Sequence, residues 1–480
     1  MPTAAKIVAA LVSGVVALSA ISPASADEAE GVIARDAVSM TTSSSEHSQD
    51  SGWYWNLKDS TASKPNWSIS AKNAQQPKID LTNVRSDDSG STIVVNDQKS
   101  YQSITGMGTS VDGSTVGNWW KMDEAHRRSF IKTMLDPVNG VGLNSFRLTI
   151  GTSDFTDKNF YTYYDAPNAS LNGAAPNWDG DGTNGFSIQQ DRDEHIIDFA
   201  HAIQQQAAEL GVDVSFFASP WTAPGWMKTP TVSSQSYPDN SLLLKGGDFN
   251  SAYTNDYAKY LVRYVEEYSK EGIPISALTL QNEPLLEINY PSNHMTGTQE
   301  VKLATAIKSE LTRSTVLNAS QRDVKVWAYD HNFDGADAFV AEMKQYPEDW
   351  KNVDGLAFHP YGGVPATMGA LAASEADKSI HLTERSWWGT TGSNWMVDWF
   401  RNGSQSYNSW VSMLDSQGKT HHWVGTPDPT PFIQNAADAN DVVATPEVYL
   451  TSQFSRYVRP GDVRIDSTNG SAATLTIVAF

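Results

Sequence analysis

The sequence predicts an α/β fold, a (β/α)8 TIM barrel, and three observations support this prediction. From about Ile104 onward, short β-rich runs alternate with longer segments of helical periodicity, which is typical of a parallel sheet wrapped by helices. There are eight such runs, and eight favour a closed barrel over an open sheet. The chain of 480 residues, 40% of them hydrophobic, is also long and apolar enough to bury a core of this size.

The eight predicted strands are short and rich in apolar residues, and several end in polar residues. They cover residues 104–110, 145–150, 214–218, 277–281, 325–328, 355–359, 380–383 and 407–414. Helical spacing marks the segments between them, as in residues 191–210, where Ile196, Phe199, Ala200 and Ile203 recur on one face. Residues 253–268 follow the same spacing, so we expect a helix in each segment.

The N-terminal residues have the pattern of a secretory signal peptide. Lys6 precedes an apolar run over residues 7–20, and Ala24-Ser25-Ala26 has the small-x-small pattern that signal peptidase accepts. The run is short for a membrane-spanning helix, which needs roughly 20 residues. We therefore expect residues 1–26 to be cleaved and the mature protein to be secreted, without membrane insertion.

Composition divides the remaining chain into four regions. Residues 27–51 are rich in Ser, Glu and Thr, which predicts a flexible leader. Residues 52–103 contain short β-rich runs and are expected to form an N-terminal β segment. The barrel is predicted over residues 104–455, and the start of a C-terminal β-domain over residues 456–480. That domain is expected to be incomplete, because the last strand ends the chain on Val478-Ala479-Phe480.

Charge and cysteine content narrow the class of ligand. The chain has 34 basic and 55 acidic residues, a formal charge of −21, which disfavours nucleic acids and anionic membranes as partners. It has no cysteine, so thiolate catalysis and disulfides are excluded. Its 16 Trp, 18 Tyr and 16 Phe supply aromatic faces that suit either a core or sugar rings. A neutral, carbohydrate-like ligand fits best.

Two carboxylates stand at predicted strand ends. The fourth run ends in Gln281-Asn282-Glu283-Pro284, and the seventh is followed by Glu384. Catalytic groups of this fold lie at the C-terminal ends of strands, so both side chains are expected in one cavity. Glycoside hydrolysis requires such a pair, one to protonate the leaving oxygen and one to attack or stabilise the sugar carbon. The pattern predicts a glycosidase with Glu283 and Glu384 as its catalytic residues.

Other strand ends supply candidate supporting groups. Arg147 is a charge inside an apolar strand, which is costly to bury unless it meets a carboxylate, and we expect Glu384 to be that partner. Asn282 can donate a hydrogen bond to the sugar 2-hydroxyl. His359 and Tyr361 follow the sixth run and can orient the nucleophile or bind sugar hydroxyls. An ordinary core or ion-pair role stays open for each of them.

Sugar recognition also needs an apolar platform with polar groups at its rim. Trp221, at the mouth of the third strand, is the candidate platform. Asp112, just beyond the first strand, is the candidate acceptor of hydrogen bonds from sugar hydroxyls.

With these motifs in view, the chain resembles glycoside hydrolase family 30, the glucosylceramidase-like family of the clan A retaining glycosidases. The matching motifs extend over about residues 106–466. They are the Arg147 strand, Ala218-Ser219-Pro220-Trp221-Thr222, Gln281-Asn282-Glu283-Pro284, the His359 and Tyr361 pair, Thr383-Glu384-Arg385, and Phe454-Ser455-Arg456-Tyr457-Val458-Arg459-Pro460-Gly461.

The resemblance implies roles for five of these residues. Glu283 would be the acid/base and Glu384 the nucleophile, while Asp112, Trp221 and Asn282 would contact the sugar in the cleaved subsite. It also implies that a small β-sandwich, built from N-terminal strands and a C-terminal stretch, packs beside the barrel. Family members usually continue well past the point where this sequence stops, so the C-terminal part of the sandwich is expected to be truncated.

The implied activity is hydrolysis of β-glucosidic bonds through a covalent glycosyl-enzyme, on a carbohydrate or glycolipid substrate such as glucosylceramide, without a cofactor or metal. Endo-β-1,6-glucanase and endo-β-1,6-galactanase activities on the same fold stay open. A non-catalytic carbohydrate-binding protein is the alternative from another class.

A metal hydrolase is disfavoured because His421 and His422 are adjacent and no His-Glu-x-x-His occurs. The acidic turn at residues 179–182 is interpreted as a polar turn, because position twelve of a calcium loop would be Gln190.

Overall fold

The computed structural model describes residues 6–11, 14–20, 38–44, 93–165, 178, 185–385, 391–423, 430–469 and 475–480. Residues 52–92 of the predicted N-terminal β segment and the acidic turn at residues 179–182 lie outside the described residues. Across the described ranges, no helix combines the length and the apolar character needed to cross a bilayer.

The strands are numbered in chain order. They are β1 (Lys6–Leu11), β2 (Gly14–Ala20), β3 (Val38–Ser44), β4 (Val95–Ser103), β5 (Gly106–Val111), β6 (Ser145–Ile150), β7 (Ser215–Pro220), β8 (Lys228–Thr229), β9 (Asp248–Phe249), β10 (Ile275–Thr279), β11 (Lys325–Asn332), β12 (Gly355–His359), β13 (Ser379–Leu382), β14 (Ser406–Ser409), β15 (Met413–Asp415), β16 (Phe432–Asn435), β17 (Asp438–Ala444), β18 (Val463–Ser467) and β19 (Leu475–Ala479).

The α-helices are numbered in the same way. They are α1 (Gly113–Trp120), α2 (Glu124–Leu135), α3 (Gln189–Asp193), α4 (Ile196–Leu210), α5 (Val232–Ser236), α6 (Thr254–Lys270), α7 (Gly297–Arg313), α8 (Ala336–Met343), α9 (Pro347–Trp350), α10 (Pro365–Ser374), α11 (Thr391–Arg401) and α12 (Pro446–Ser455). Two 3-10 turns, Gly225–Met227 and Ser251–Tyr253, complete the helical elements of the described residues.

Eight of the strands form a closed parallel barrel in the order β5-β6-β7-β10-β11-β12-β13-β14. The barrel closes where β14 pairs with β5, with Ser406 opposite Gly106. Helices cover the outside and side chains fill the inside, so the strands are buried on both faces, which explains their nearly continuous apolar runs. The predicted (β/α)8 barrel is confirmed.

Two strand boundaries differ from the sequence-based prediction in ways that matter for the site. The fifth barrel strand continues past Ala328 to Asn332, because a register shift between Tyr329 and His331 lets it stay paired with β12. The eighth was predicted over residues 407–414 but ends at Ser409, and residues 413–415 form β15 in a separate sheet. The apolar residues between them pack into an aromatic cluster instead of continuing the strand.

The helix α6 packs on the barrel through a tyrosine face. Its buried tyrosines recur at helical spacing and are Tyr257, Tyr260, Tyr264 and Tyr268. The phenol of Tyr268 donates to the buried carboxylate of Asp191 at 2.5 Å, as do those of Tyr163 at 2.6 Å and Tyr161 at 2.9 Å. Because burial raises the pKa of Asp191 to about 6, these three donors are needed to stabilise its ionised form.

A six-stranded antiparallel sheet with the order β3-β2-β1-β19-β18-β4 packs beside the barrel. Backbone hydrogen bonds join the two where the chain enters the first barrel strand: Ile104 N donates to Asp462 O and Gly461 N donates to Ile104 O, both at 2.8 Å. Arg401 of α11 also donates to Ile477 O in β19 at 2.7 Å. This sheet is the small β-domain expected beside the barrel.

Three strands of this sheet come from the N-terminal residues. β1 and β2 lie within residues 1–26, where the sequence predicts a cleaved signal peptide, and β1 pairs with β19. β3 pairs with β2 and lies within residues 27–51, where the sequence predicts a flexible leader. The other residues of that leader lie outside the described residues. A short apolar run suits both a signal sequence and a sheet strand. Signal cleavage stays a prediction.

A glycine substitution tests how tightly the barrel closes. A Cβ on Gly108 would lie 1.4 Å from the carbonyl oxygen of Ser145 and 2.8 Å from the amide nitrogen of Asn408. We expect Gly108→Ala to lower the free energy of unfolding by at least about 3 kcal/mol, because backbone on the adjacent strand would have to move. Denaturant unfolding followed by circular dichroism measures this change.

Gly117→Ala is the matched control for that substitution. Gly117 lies inside α1, and nothing lies within 4 Å of the position that a Cβ would take there. We expect this variant to be as stable as the wild type or up to about 1 kcal/mol more stable, since alanine favours helix. A Gly108→Ala protein that unfolds at the same denaturant concentration as the Gly117→Ala protein would contradict the close packing described here.

Candidate active site

The fourth barrel strand, β10, brings Glu283 to the C-terminal mouth of the barrel. Glu283 has a left-handed backbone with φ of 48°, which costs of order 1–3 kcal/mol in a residue other than glycine. Two backbone hydrogen bonds hold it there: Glu283 N donates to Asp330 O at 3.0 Å, and Leu286 N donates to Glu283 O at 2.9 Å. Its position is therefore fixed against the neighbouring strand β11.

The seventh barrel strand, β13, brings Glu384 to the same mouth. Its carboxylate is buried and accepts a hydrogen bond on each oxygen. Arg147 Nη1 donates to Oε2 at 2.5 Å, and the Tyr361 hydroxyl donates to Oε1 at 3.0 Å. Donors on both oxygens suit an ionised carboxylate, as a nucleophile requires.

The two carboxylates lie close together. One oxygen of Glu283, one of Glu384 and a ring nitrogen of His359 all lie within 4.8 Å of one another. Glycosidases fall into two classes by this spacing, with carboxyl groups about 5–5.5 Å apart in one class and roughly 6.5–9.5 Å apart in the other. The spacing found here belongs to the shorter class.

Arg147 is the buried cation at the centre of the site. Its side chain has no solvent exposure, and beside Glu384 it contacts three further groups. Nε donates to the Ser219 hydroxyl at 2.9 Å, and Nη2 donates to Asn282 Oδ1 at 2.8 Å and to Asp330 Oδ2 at 2.9 Å. The side-chain oxygen of Asn282 accepts this hydrogen bond, so its NH2 group is left to donate to another group. The predicted contact with a sugar hydroxyl requires such a donor.

His359 lies between the carboxylates and carries a proton. Its Nε2 is 3.0 Å from Asp330 Oδ1, and its Nδ1 is 3.1 Å from Glu283 Oε1 and 3.9 Å from Glu384 Oε2. Burial alone would lower the pKa of this imidazole, but the charges of Glu384 and Asp330 outweigh burial and raise the pKa to about 10.

Neighbouring imidazoles lower the pKa of Glu283. Burial would raise the pKa of this carboxyl, but the imidazoles of His331 and His359 outweigh burial and lower the pKa to about 2. In the resting site the proton of the Glu283 and His359 pair therefore lies on the histidine.

The trio of Glu283, His359 and Glu384 has the spacing of a metal site. Each nitrogen of His359 already faces a carboxylate and acts as a donor, whereas a metal ligand must offer a lone pair. The donor set present therefore fits a proton-transfer site better than a metal centre.

The model of the glycosyl hydrolase family 30 TIM-barrel domain matches residues 104–458. This chain belongs to glycoside hydrolase family 30. Endo-1,6-beta-D-glucanase neg1 of Aspergillus fumigatus is 25% identical over 389 residues, 78% of this chain and 73% of that protein. The lysosomal acid glucosylceramidase of Mus musculus is 24% identical over 414 residues, 82% of this chain and 75% of that protein. The solved structure of the endo-beta1,6-glucanase BT3312 superposes with a TM-score of 0.67 at 25% identity, covering 80% of this chain and 82% of that one.

The structure joins most of the predicted residues of this family 30 site into one hydrogen-bonded cluster. The cluster contains Glu283, Glu384, Arg147, Asn282, His359 and Tyr361. Trp221 packs against it, whereas Asp112 does not join it.

Trp221 is packed more completely than a platform would be. It is only 2% exposed, and its ring stacks on Trp410 at 5.0 Å and 22°. The Arg147 guanidinium lies 4.7 Å from the centroid of the Trp221 ring. Trp221 therefore helps to hold Arg147 in place by cation–π contact.

The Asp112 carboxylate is fully buried and accepts hydrogen bonds from three neighbouring groups, and its contact with sugar hydroxyls stays a prediction. Oδ1 accepts from Thr115 N at 2.9 Å, and Oδ2 accepts from the hydroxyls of Thr115 and Ser110 at 2.8 Å. Asp112 caps the N-terminus of α1. A helix cap and a site residue both favour Asp directly after a strand, so sequence position alone did not separate them.

Sequence reasoning missed two aspartates of this site. Asp330, on the extended part of β11, accepts from Arg147, from His359 and from the Thr383 hydroxyl at 2.5 Å. Burial would raise its pKa, but the charges of Arg147 and His359 lower the pKa below its usual range.

Asp154 is the second missed aspartate, in the loop after β6. It is buried, and burial together with the charges of Glu384 and Glu283 raises the pKa of its carboxyl well above the usual value. A carboxyl near the pair can form hydrogen bonds with sugar hydroxyls. Asp154 lies in a loop without periodicity and not directly after a predicted strand, so the sequence gave no reason to select it.

Removing the charge of Asp330 tests the ionic cluster. We expect Asp330→Asn to lower the free energy of unfolding at pH 7 by about 3 kcal/mol, because a buried guanidinium loses a partner. Folding lowers the pKa of Asp330, so this stabilisation is present above the unfolded value of ~3.9 and is lost as pH falls below it. Thermal unfolding at pH 7 and at pH 3 measures both effects.

Asp323→Asn is the matched control. Asp323 is exposed and pairs with Lys325 at 2.7 Å, a surface ion pair that contributes at most about 1 kcal/mol. Equal stability of the two variants at pH 7 would mean that Asp330 does not stabilise the cluster.

Proposed function

We propose that this protein hydrolyses β-glucosidic bonds with retention of configuration, by double displacement through a covalent glycosyl-enzyme. The observation that carries the proposal is the short distance between the Glu283 and Glu384 carboxylates, within 4.8 Å through their nearest oxygens. A water molecule placed for inversion would need a wider gap.

In the first step an oxygen of Glu384 attacks the anomeric carbon and the glycosidic C–O bond breaks. Arg147 and Tyr361 orient the nucleophile and keep it charged until it attacks. The departing oxygen takes a proton from Glu283. Before substrate binds, this proton lies on His359. A bound sugar displaces water from Glu283 and so favours the neutral form of its carboxyl. The proton then passes from His359 to Glu283 across the 3.1 Å contact.

In the second step water attacks the anomeric carbon, the bond to Glu384 breaks, and Glu283 accepts the proton of the water. Asn282, which offers its amide group beside Glu384, is suited to bind the sugar 2-hydroxyl as positive charge develops on the ring. The buried carboxyl of Asp154, in the loop after β6, is a candidate to bind another hydroxyl of the same sugar.

For the substrate we propose β-1,6-linked glucan first. The relative from Aspergillus fumigatus and the solved structure that superposes at a TM-score of 0.67 are both named as endo-1,6-glucanases. Glucosylceramide is the second candidate, because the mouse glucosylceramidase matches a larger share of this chain, 82%. We also propose that the protein acts outside the cell after loss of residues 1–26, on the basis of the signal-like sequence.

Product analysis by proton NMR tests the reaction. We expect β-1,6-glucan and aryl β-glucosides to release β-anomers first, with α-anomers appearing only by mutarotation. Initial release of the α-anomer would contradict double displacement. Hydrolysis of glucosylceramide without hydrolysis of β-1,6-glucan would move the substrate to the second candidate.

Two glutamate variants test the roles. We expect Glu384→Gln to reduce turnover at least 10⁴-fold on every substrate, because no nucleophile remains. Glu283→Gln should keep the first step on dinitrophenyl glucosides, whose leaving group needs no proton, and lose it on glucan. Pre-steady-state release of dinitrophenol measures that step, and similar losses on both substrates in Glu283→Gln would contradict the acid/base assignment.

A further inference from the structure

His331 is a second imidazole beside Glu283, and it has no part in the reaction steps proposed above. It lies on β11, where pairing with β12 shifts register between Tyr329 and His331. Tyr329 and Asp330 both have left-handed backbone there, with φ of 79° and 47°. Irregular pairing of this kind commonly redirects side chains next to active sites. Here neighbouring residues of one strand serve the two ends of the site, Asp330 at Arg147 and His331 at Glu283.

The His331 ring is directed at the oxygen that His359 already contacts. Its Nδ1 lies 3.7 Å from Glu283 Oε1, while His359 Nδ1 lies 3.1 Å from the same atom. This Nδ1 of His331 is buried and has no hydrogen-bond partner among the described residues. A buried donor without a partner costs about 1–3 kcal/mol, so its retention beside a carboxylate calls for a functional explanation.

The distance of 3.7 Å is longer than a hydrogen bond. Catalytic hydrogen bonds are often long in the free enzyme and shorten in the complex with substrate. If His331 Nδ1 moved towards Glu283 Oε1 by well under ~1 Å, that oxygen would have two imidazole donors. Its other oxygen would stay available to the leaving group and then to water.

Charged groups face Glu283 from several elements. His359 approaches from β12, and Glu384 lies on the far side of His359, after β13. Asp154, in the loop after β6, and Tyr290, in the loop after β10, are close enough for their electrostatic interaction with Glu283 to be felt. Once the sugar is bonded to Glu384 that carboxylate is neutral, and the imidazoles are then the main influence on the ionisation of Glu283.

We propose that His331 is a positioning residue for the second step, whose Nδ1–H closes on Glu283 Oε1 and holds that carboxyl ionised as the general base. The inference rests on the proposed double displacement. In that step a water O–H bond breaks, the proton passes to Glu283, the water oxygen bonds to the anomeric carbon, and the ester bond to Glu384 breaks. His331 donates a hydrogen bond throughout and exchanges no proton.

The pH dependence of kcat on a dinitrophenyl β-glucoside tests this role. Departure of dinitrophenol needs no acid, so breakdown of the glycosyl-enzyme limits turnover and kcat falls in acid as Glu283 becomes protonated. Loss of a donor to the ionised form raises the pKa of Glu283, so in His331→Leu we expect this fall to begin about one pH unit higher. His331→Asn, whose amide nitrogen takes the place of Nδ1 and keeps an N–H donor, should return the profile towards that of the wild type.

His294→Leu is the control, because His294 pairs with the exposed Asp248 at 3.3 Å and should leave the profile unchanged. If His331→Leu does not fold, His331→Ala, which also lacks a donor, replaces it with the same expected shift. A folded His331→Leu or His331→Ala protein with the wild-type profile would overturn the proposal. An equal shift in His294→Leu would also overturn it.

A measurement without turnover separates this proposal from the proposed function. If the wild type hydrolyses no β-glucoside, the function fails, and ¹³C NMR of glutamate-labelled protein then decides the role of His331. The Glu283 carboxyl signal is assigned by its absence in Glu283→Gln. Its titration should move to higher pH in His331→Leu, and superimposable titrations in the variant and the wild type would overturn the proposal.

Discussion

The site depends on one buried cation. Arg147 has no contact with water, and burying an unpaired guanidinium would cost far more than a protein of this size can tolerate. Its partners come from the adjacent strand β7 and from more distant strands of the barrel, and they are Ser219, Asn282, Asp330 and Glu384. With His359 these groups span six consecutive barrel strands, from β6 to β13. The carboxylates of Glu283 and Glu384 are therefore placed by the same interactions that compensate the buried charge of Arg147.

Strand periodicity predicted the barrel well, because each strand is a short apolar run that is buried on both faces. The predicted bounds of β6 and β12 equal the observed ones. Glu283 and Glu384 could be found in sequence because each stands directly after such a run. Asp330 and His331 could not be found in this way, because they lie on an extension of β11 that exists only through a register shift with its neighbour. Register is a property of two strands, and neither strand encodes it alone.

Local sequence was ambiguous at other positions for similar reasons. The sequence could not show that Asp112 caps α1, because the residue after a strand can serve either a ligand or the next helix. The predicted eighth strand was too long because the residues after Ser409 are apolar, although they pack against Trp221 and Phe155 rather than pair in the barrel. At the N-terminus, the apolar residues that resemble a signal sequence also pair with the last strand of the side sheet. In each case local composition is consistent with more than one role.

The formal charges of the site have a consequence for inhibition. Arg147 and His359 contribute two positive charges, and Glu283, Glu384 and Asp330 contribute three negative charges, which leaves a net charge of −1 in a water-poor cavity. Such a cavity favours a bound group that carries positive charge where the sugar ring lies. Sugar mimics with a protonated ring nitrogen present that charge permanently, whereas a glucoside develops it only at the moment of bond cleavage. The cluster that prepares the nucleophile thus also makes the cavity a receptor for basic sugar analogues.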